Sequence, residues 1–317
     1  MSLVDFFDKC RFWGGGRNQW LQKLRFYGAV NTLVALIANA VLPIYFGLTK
    51  NRPCNALPQS SGRKRRVIVS LTSFPKRLAT LHLVIESILR QSVKPDKVVL
   101  YLTKSQVPDV EKLPRKLLDC RKRGLEIVLC DDEIRSHTKY FYAMQQFPDD
   151  IVITVDDDLF YRSDLVATHL KNADKYPGCV IANWAKRVIP GKTKYTEWPD
   201  AVGKEPLKSK NMLILGVSSV LYPPHSLHTD AFNVENIRKL TLTADDVWIT
   251  AMLLKQGAEV VYSGYEYNHL PVHIRNNETL ISGNYVRNQI CVDEINKYYE
   301  ERGEERPFID IPLRNKN

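Results

Sequence analysis

The chain has 317 residues, of which 44% are hydrophobic and 25% are charged. These proportions are ordinary for a globular protein, and they exclude a disordered chain, a collagen-like chain, a coiled coil and a polytopic membrane protein. The length suits one large α/β domain with an appendage, or two small domains. The six cysteines include no CxxC pair, which argues against a zinc ribbon and favours free thiols in a reducing compartment.

The net charge of +10 is concentrated at the N-terminus. Residues 1–66 contain eleven Lys and Arg but only two acidic residues, whereas the rest of the chain has 34 basic and 33 acidic side chains. A nucleic-acid enzyme usually has positive charge spread over its binding groove. We therefore expect no nucleic-acid partner. A basic segment beside apolar sequence points instead to an anionic membrane surface.

Residues 26–49 are uncharged and largely apolar, and the run is long enough to span a bilayer. Asn, Thr and Pro interrupt it, and basic residues flank both ends, so a clear positive-inside bias is missing. Three placements stay open: a helix in the membrane interface, a transmembrane anchor, and a helix packed on the protein body. A cleaved signal peptide is not expected, because the run starts late and lacks a small-residue exit site.

The segment from residue 51 to residue 66 is rich in Pro, Ser, Gly and Arg, which predicts a linker. We therefore expect an N-terminal arm, residues 1–62, followed by one domain, residues 63–317.

Strand and helix patterns alternate from residue 67 onward. The predicted order is strand 67–71, helix 78–90, strand 97–102, helix 110–120, strand 126–130, helix 138–146 and strand 151–155. It predicts an α/β fold with a mostly parallel sheet flanked by helices. The later pattern is looser and predicts strands at 180–184, 212–220 and 260–262, with helices at 242–255 and 288–301.

The strongest chemical motif is an apolar strand that ends in three carboxylates. Residues 151–155 read IVITV, and Asp156, Asp157 and Asp158 follow directly. Ligands of open α/β sheets bind at the carboxyl ends of strands. Adjacent carboxylates repel one another, so this cluster favours a bound cation, and Mg²⁺ and Mn²⁺ prefer carboxylate and phosphate oxygens. The alternative is a solvated acidic turn.

Two other segments combine polar side chains at predicted element ends. Thr72, Ser73 and Arg77 follow the first strand and could hold a ribose, a base or a phosphate; a helix N-cap at either hydroxyl is the alternative. Asp245 and Asp246 lie near a predicted helix start. There a carboxylate either caps the helix or acts as a general base toward an acceptor hydroxyl.

Gly216 lies at the end of an apolar segment and precedes a Pro-Pro corner at residues 223–224. A glycine at this position indicates either a close approach of the backbone to a ligand or a plain structural turn.

The order of these motifs resembles that of bacterial GT-A-fold glycosyltransferases that make capsule, lipopolysaccharide or exopolysaccharide. The resemblance covers about residues 66–300 and leaves the N-terminal arm outside. The segments that carry it are VSLTSFPKR at 69–77, QSVKPDKVVLYL at 91–102, DDIVITVDDDLFY at 149–161, LGVSSVLYPP at 215–224 and TADDVWITAM at 243–252.

The resemblance implies a metal-dependent, inverting transfer of a sugar from a nucleotide-sugar donor, such as a UDP-sugar, to a saccharide or lipid-linked saccharide acceptor. The divalent metal is Mn²⁺ or Mg²⁺. The resemblance implies that the donor is bound by Thr72, Ser73, Arg77, Asp131, Lys139, Asp156 and Asp157, and that the metal is bound by Asp156 and Asp158. It implies a loop beside the donor sugar and the acceptor, formed by Gly216, Val217, Ser218 and Trp248. The implied catalytic base is Asp246 or Asp245.

Two features of the later sequence bear on this resemblance. The family pattern implies a Gly-rich turn before the LYPP segment, where this chain has Ser218 and Ser219. His269 and His273 follow a late predicted strand, close to where some relatives have a metal-binding histidine. We interpret each of the two as a structural histidine.

Two other functions fit parts of the pattern. A sugar-1-phosphate nucleotidyltransferase also uses a Rossmann-like sheet and carboxylate-bound metal, but it requires a Gly-rich phosphate loop, and TSFPKR contains no glycine. A membrane-attached polysaccharide-binding protein on a decayed transferase fold is the non-enzymatic alternative. The retained carboxylates at 156–158 and 245–246 argue against decay.

The cellular location also follows from the arm. A Golgi type II enzyme would have its anchor and stem at residues 26–66, and Asn277 begins a possible glycosylation sequon. The scattered cysteines and the basic residues on both flanks of the apolar run favour a bacterial enzyme at the cytoplasmic face of the inner membrane, either peripheral or N-terminally anchored.

Overall fold

The computed structural model describes residues 1–11, 26–58, 62–272 and 284–315. The strands are β1 Val67–Thr72, β2 Lys97–Thr103, β3 Leu125–Cys130, β4 Ile151–Thr154, β5 Leu159–Phe160, β6 Val180–Ala182, β7 Ala185–Arg187, β8 Leu207–Ser209, β9 Met212–Ile214, β10 Val220–Tyr222, β11 Val260–Tyr262 and β12 Leu270–Pro271. In these ranges the α-helices of five residues or more are α1 Leu3–Lys9, α2 Phe26–Thr49, α3 Leu78–Leu89, α4 Arg115–Arg121, α5 Thr138–Gln146, α6 Leu165–Lys175, α7 Asp245–Gln256, α8 Asn284–Glu301 and α9 Asp310–Arg314.

The main sheet has eight strands in the order β3-β2-β1-β4-β10-β6-β11-β8. Strands β1 to β4 are parallel to one another, and β6 is parallel to β11. Strand β10 pairs antiparallel with both β4 and β6, and β8 closes the far edge antiparallel to β11. The expected α/β fold with a mostly parallel sheet flanked by helices is therefore confirmed.

The chain reverses its direction of travel across the sheet between β1 and β4. From β1 it adds β2 and then β3 on one side, and it returns to place β4 on the other side of β1. A crevice opens at such a switch point, outside the carboxyl ends of the two strands. The segments that leave β1 and β4 hold the polar residues identified in the sequence.

Helices cover both faces of β1, which is why its sequence is apolar at consecutive positions. Val67, Val69 and Leu71 face a core that α3 completes. Ile68 faces the opposite core, where Ala143 of α5 packs. This two-sided burial explains why the strand could be predicted from a continuous apolar run rather than from alternation.

The N-terminal helices share the core of the main domain. Val4 and Phe7 of α1, and Ala38, Leu42 and Phe46 of α2, lie in the cluster that contains β1 and α3. The segment after α2 also contacts the body, because the Leu57 backbone N–H donates to the Arg123 carbonyl oxygen at 3.0 Å. Among the described residues, the predicted arm is thus attached along its length.

Several predicted elements differ from the structure in their bounds. The predicted strand 212–220 is two strands, β9 and β10, separated by a turn in which Ser219 has a φ of 82°. The predicted helix 110–120 is a 3₁₀ turn, Val110–Lys112, followed by α4, because Pro114 has no N–H for a continuous helix. Helix α7 begins at Asp245 rather than at residue 242, and α1 and α6 were not predicted.

Candidate active site

Five segments converge at the switch point and supply the polar side chains of the site. The segment after β1 supplies Ser73 and Arg77, the segment after β4 supplies residues 156–158, α5 supplies Lys139, the turn after β9 supplies Gly216, and the start of α7 supplies Asp245 and Asp246. Most of the residues that the sequence singled out are therefore neighbours in space.

Asp157 points into the protein and holds the β1 segment. Its side chain is 8% exposed. Ser73 Oγ donates to Asp157 Oδ2 at 2.6 Å, and Arg77 pairs with Asp157 Oδ1. Burial raises the pKa of Asp157, and the Arg77 guanidinium partly offsets this. The middle carboxylate thus fixes Ser73 and Arg77 beside the cleft.

Asp156 and Asp158 are the accessible members of the trio, with side chains that are 26% and 36% exposed. Arg77 Nη1 lies 3.1 Å from Asp158 Oδ2. Burial and the neighbouring Asp156 carboxylate raise the pKa of Asp158 to about 6. The Asp156 backbone N–H donates to the Tyr161 hydroxyl at 2.7 Å, which fixes the turn after β4.

Lys139 is a buried cation that links the two carboxylate groups of the site. Its Nζ lies 2.7 Å from Asp156 Oδ1 and 3.2 Å from Asp245 Oδ2. Ser70 Oγ donates to the Lys139 carbonyl oxygen at 2.5 Å, which ties the first turn of α5 to β1. Burial lowers the pKa of Lys139, but Asp156 and Asp245 together hold it above its ordinary value, so the ammonium stays charged.

Asp246 contacts Gly216 across the cleft. The Gly216 backbone N–H donates to Asp246 Oδ1 at 2.9 Å. A Cβ on residue 216 would lie 3.0 Å from the same oxygen and 3.5 Å from Lys139 Nζ. Gly216 therefore allows the close approach of a carboxylate of its own chain. This interaction was not predicted from the sequence.

The two carboxylates at the start of α7 have opposite protonation tendencies. Burial, followed by the Asp245 charge, raises the pKa of Asp246 to about 8. Burial also raises the pKa of Asp245, but Lys139 and His137 lower it further, so it lies below its ordinary value. Asp245 therefore stays ionised, and Asp246 is the member that takes up a proton near neutral pH.

The capping alternatives are not what the structure shows. Thr72 Oγ1 donates to the Tyr101 carbonyl oxygen at 2.9 Å, and Ser73 bonds to Asp157, so neither hydroxyl caps a helix. Helix α7 has no side-chain cap, and Asp246 accepts from Gly216 instead.

Three other residues named from the sequence contact other parts of the described structure. Asp131 follows β3, is 80% exposed, and pairs with Lys104 at 2.6 Å. Trp248 is fully buried and donates from Nε1 to the Ala231 carbonyl oxygen at 3.3 Å, so it packs in a core rather than at the cleft surface. Val217 is partly buried against the core that contains β1 and α3.

The serine turn after β9 is held by two histidines. Ser218 contacts His269 Nε2, and Ser219 Oγ lies 3.0 Å from His169 Nε2. Asn183 Nδ2 also donates to the Ser218 carbonyl oxygen at 2.9 Å. His269 thus contacts the serine turn, whereas His273 and Asn277 lie outside the described residues.

The carboxylates fit a divalent ion only in part. Within the described ranges, no three His, Cys, Asp or Glu side chains cluster as a complete ligand set. Lys139 occupies one oxygen of Asp156, and Arg77 lies on one oxygen of Asp158; within the same ranges, the other oxygen of each has no hydrogen-bond partner. Mg²⁺ commonly binds through one or two carboxylates and completes its shell with water and substrate phosphates. Asp156 and Asp158 fit that kind of site.

No protein-family model matches the chain, and no curated protein matches it in sequence. Solved structures with a partly similar fold include a mannosyltransferase from Pyrobaculum calidifontis in complex with GDP-Man and Mn²⁺. It has a TM-score of 0.47 and 14% sequence identity, and the alignment covers 90% of this chain and 79% of the other.

Two further solved structures align over a shorter span. S. aureus TarS 1-349 has a TM-score of 0.42 and 14% identity, with 64% of this chain and 59% of that chain covered. Glucosyl-3-phosphoglycerate synthase from Mycobacterium tuberculosis, in complex with Mn²⁺, UDP and glucosyl-3-phosphoglycerate, has a TM-score of 0.30 and 17% identity, with 38% and 43% covered. This chain thus spans less than two thirds of the length of either.

Proposed function

We propose that the protein is a glycosyltransferase of the GT-A type, which moves a sugar from a nucleotide-sugar donor to a saccharide acceptor in the synthesis of a bacterial surface polysaccharide. The observation that carries this proposal is the pairing of two carboxylate groups across the switch point. Asp156 and Asp158 follow β4, Asp245 and Asp246 begin α7, and Lys139 Nζ contacts a member of each group. One group suits the donor diphosphate and the other suits the acceptor hydroxyl.

On the donor side, Asp156 and Asp158 would hold a divalent ion, either Mn²⁺ or Mg²⁺. When bound, such an ion neutralises the charge that develops on the departing diphosphate. Ser73 and Arg77, held by Asp157, would contact the ribose and phosphates of the donor, which we propose to be a UDP-sugar. Asp131, which follows β3 at the same edge of the sheet, would contact the base.

On the acceptor side, Asp246 would act as the general base. Its pKa of about 8 gives a carboxylate with unusual proton affinity near neutral pH, as this role requires. The acceptor oxygen attacks the anomeric carbon, its proton moves to Asp246, and the bond from that carbon to the diphosphate breaks. A single displacement of this kind inverts the anomeric configuration. Lys139 fixes Asp245 and Asp156 during the step.

The acceptor and the location are also part of the proposal. The basic N-terminal segment beside an apolar helix supports a lipid-linked saccharide acceptor at the cytoplasmic face of the inner membrane. In the described residues the cysteines are free thiols, as a reducing compartment requires.

The test is donor turnover with a panel of UDP-, GDP- and TDP-sugars, with Mn²⁺, with Mg²⁺ and with EDTA. We expect one donor to release its nucleoside diphosphate in a metal-dependent reaction. Asp158→Ala should reduce that rate about 10²- to 10³-fold or more. The matched control is Asp149→Ala, because Asp149 precedes β4 at the opposite edge of the sheet and is 88% exposed.

The products separate this proposal from its rivals. A nucleotidyltransferase would make or consume pyrophosphate instead of releasing a nucleoside diphosphate. Absence of turnover for every donor, together with metal-independent nucleotide binding measured by calorimetry, would overturn the proposal and leave the acidic segment as an ordinary turn.

A further inference from the structure

Helix α2 is apolar on both of its faces, and only one face is covered. Ala35, Ala38, Leu42, Phe46 and Thr49 are buried against the body. The opposite face carries large side chains that are between 37% and 83% exposed, namely Phe26, Leu33, Leu36, Ile37, Val41, Ile44 and Leu48. Surface helices of globular proteins normally present polar residues outward. This stripe therefore requires a partner.

The polar side chains of Thr32 and Asn39 on α2 have hydrogen-bond partners within the protein. The exposed positions of α2 carry no charge, and the hydroxyl of Thr32 donates to the Gly28 carbonyl oxygen within the helix at 2.9 Å. Asn39, at the edge of the face, donates to the Ala35 carbonyl oxygen and to the Pro271 carbonyl oxygen of the body. The face is thus suited to a hydrocarbon environment.

The positive charge of the segments that flank α2 indicates which kind of apolar partner is favoured. The two sequence segments that flank α2, residues 9–25 and 50–52, contain seven Lys and Arg and no acidic residue. Lys50 and Arg52 follow the helix directly and are exposed. A second copy of the chain would bring the same positive charge to the contact and be repelled. An anionic lipid surface supplies both the hydrocarbon and the opposite charge.

The contacts of α2 with the body determine how the helix would lie. The Phe46 ring is 6.2 Å from the Phe160 ring, and Arg90 stacks over Phe46 at 4.5 Å. Arg90 Nη2 also donates to the Phe46 carbonyl oxygen at 3.2 Å. A spanning orientation would strip Leu42 and Phe46 from the body, whereas a helix lying along the surface keeps every one of these contacts.

The same contacts connect the helix to the carboxylates. Phe160 lies two residues after Asp158, in β5, which pairs with β12. The Val272 backbone N–H donates to the Asp158 carbonyl oxygen at 2.8 Å. Helix α2 therefore packs on the ribbon that continues from the proposed metal-binding segment.

We infer that the exposed face of α2 docks in the plane of an anionic bilayer surface, with the carboxylate cleft held beside the lipid headgroups. The docking itself is independent of the reaction. Its consequence, that the acceptor is presented by the membrane, rests on the proposed function.

The first test is flotation of the full chain with vesicles of phosphatidylcholine alone and of phosphatidylcholine with phosphatidylglycerol. We expect binding to the anionic vesicles. The double variant Ile37→Glu/Ile44→Glu should lose at least about tenfold in partitioning, because two apolar groups that would enter the bilayer become charges. Val202→Glu is the matched control, since Val202 is 83% exposed on another part of the surface. Thermal unfolding of all variants verifies that they fold.

The second test distinguishes an in-plane helix from a spanning one. Spin labels at positions 33, 37, 44 and 48, in a background with Cys10→Ser and Cys54→Ser, report depth in the bilayer. We expect equal, shallow depths. A spanning helix would separate the outer two labels by about 22 Å along the membrane normal, and that result would overturn the inference.

Two other outcomes are decisive. Wild-type protein that fails to bind anionic vesicles but forms a dimer that the glutamate variant dissociates would assign the face to a second copy and refute the inference. Vesicle binding without turnover of any donor would support docking while refuting the transferase. Because flotation uses no donor and no metal, the two failures are separable.

Discussion

The carboxylate cleft and the exposed face of α2 depart from an ordinary protein surface in opposite directions. In the cleft, charged groups are withdrawn from water: Asp157 is 8% exposed and Lys139 is 7% exposed. On α2, large apolar groups are left in water, with Leu48 83% exposed. Neither arrangement benefits the isolated chain, because burying charge and exposing hydrocarbon both cost free energy. We propose that each arrangement serves a partner outside the chain.

The largest expected effect tests whether the cleft residues that serve activity also lower the stability of the folded protein. Asp246→Asn keeps an acceptor for the Gly216 N–H but cannot take a proton, so donor turnover to an acceptor should fall about 10²- to 10⁴-fold. The folded protein should become more stable. The pKa of Asp246 is raised from 3.8 to about 8, so its folded carboxyl holds a proton that the unfolded chain has released.

This raised pKa gives a definite sign for the pH dependence of that variant. The stability that protonation of Asp246 supplies is complete below about pH 4 and is lost as the pH rises through 8. The advantage of Asp246→Asn should therefore grow with pH to about 2 kcal/mol at pH 8 in denaturant titrations. A variant that is less stable than wild type at pH 8 would contradict this account.

Removing the cation should be more damaging than removing a carboxylate. Lys139→Met leaves Asp156, Asp245 and Asp246 without their shared partner, and the free energy of unfolding should fall by about 3–5 kcal/mol. The control Lys171→Met changes an exposed lysine and should have no measurable effect. Adding Asp245→Asn to the Lys139 variant should restore part of the loss, since it removes one of the uncompensated charges. A double variant no more stable than the single one would show that Lys139 acts through packing alone.

Helix α2 allows a buried and an exposed apolar residue to be compared within one helix. Leu42 is fully buried and Ile44 is 65% exposed. Leu42→Ala should cost about 2–4 kcal/mol of unfolding free energy, because it leaves a cavity in the shared core. Ile44→Ala should change it by less than about 0.5 kcal/mol. Equal costs, measured by denaturant unfolding without lipid, would mean that the exposed face is covered in solution.

The effect that is absent at neutral pH concerns the serine turn. Burial lowers the pKa of His169 to about 3, so the folded protein holds a neutral imidazole that the unfolded chain protonates below about pH 6.5. Its contribution to stability is therefore complete above pH 6.5 and is lost progressively as the pH falls toward 3. His169→Gln should reduce the slope of unfolding free energy against pH in that window by about 1.4 kcal/mol per unit at most. His225→Gln, which replaces a histidine with a 71% exposed side chain, is the matched control.

Strands β1 to β4 and helix α3 could be predicted because their signals are local. Each strand is a short apolar run between turn residues, and the predicted bounds differ from the structure by one residue or so. The site at residues 156–158 could also be predicted, since three adjacent carboxylates after a buried strand repel one another and therefore favour a bound cation. Asp157 shows the limit of the pattern. Alternation along an extended segment places Asp157 opposite Asp156 and Asp158, but it does not identify Ser73 and Arg77 as its partners.

The contacts that assemble the site could not be predicted, because they join distant parts of the chain. The Lys139 bridge and the Gly216–Asp246 hydrogen bond depend on how α5, α7 and the β9 turn approach one another. Helix α2 was ambiguous for a different reason. Both of its faces are apolar, so periodicity has no contrast from which to assign the buried side. The buried face is identified by the contacts of α2 with the body, such as the packing of Phe46 on Phe160.

Gly216 has a consequence for the tolerance of this protein to mutation. A methyl group there would lie 3.0 Å from the Asp246 oxygen that its own N–H must reach, so even alanine has to displace the carboxylate. In a saturation library selected for activity, position 216 should accept substitutions as rarely as positions 158 and 246. Gly216, which has no reactive group, would then identify the site in such a library as clearly as Asp158 and Asp246 do.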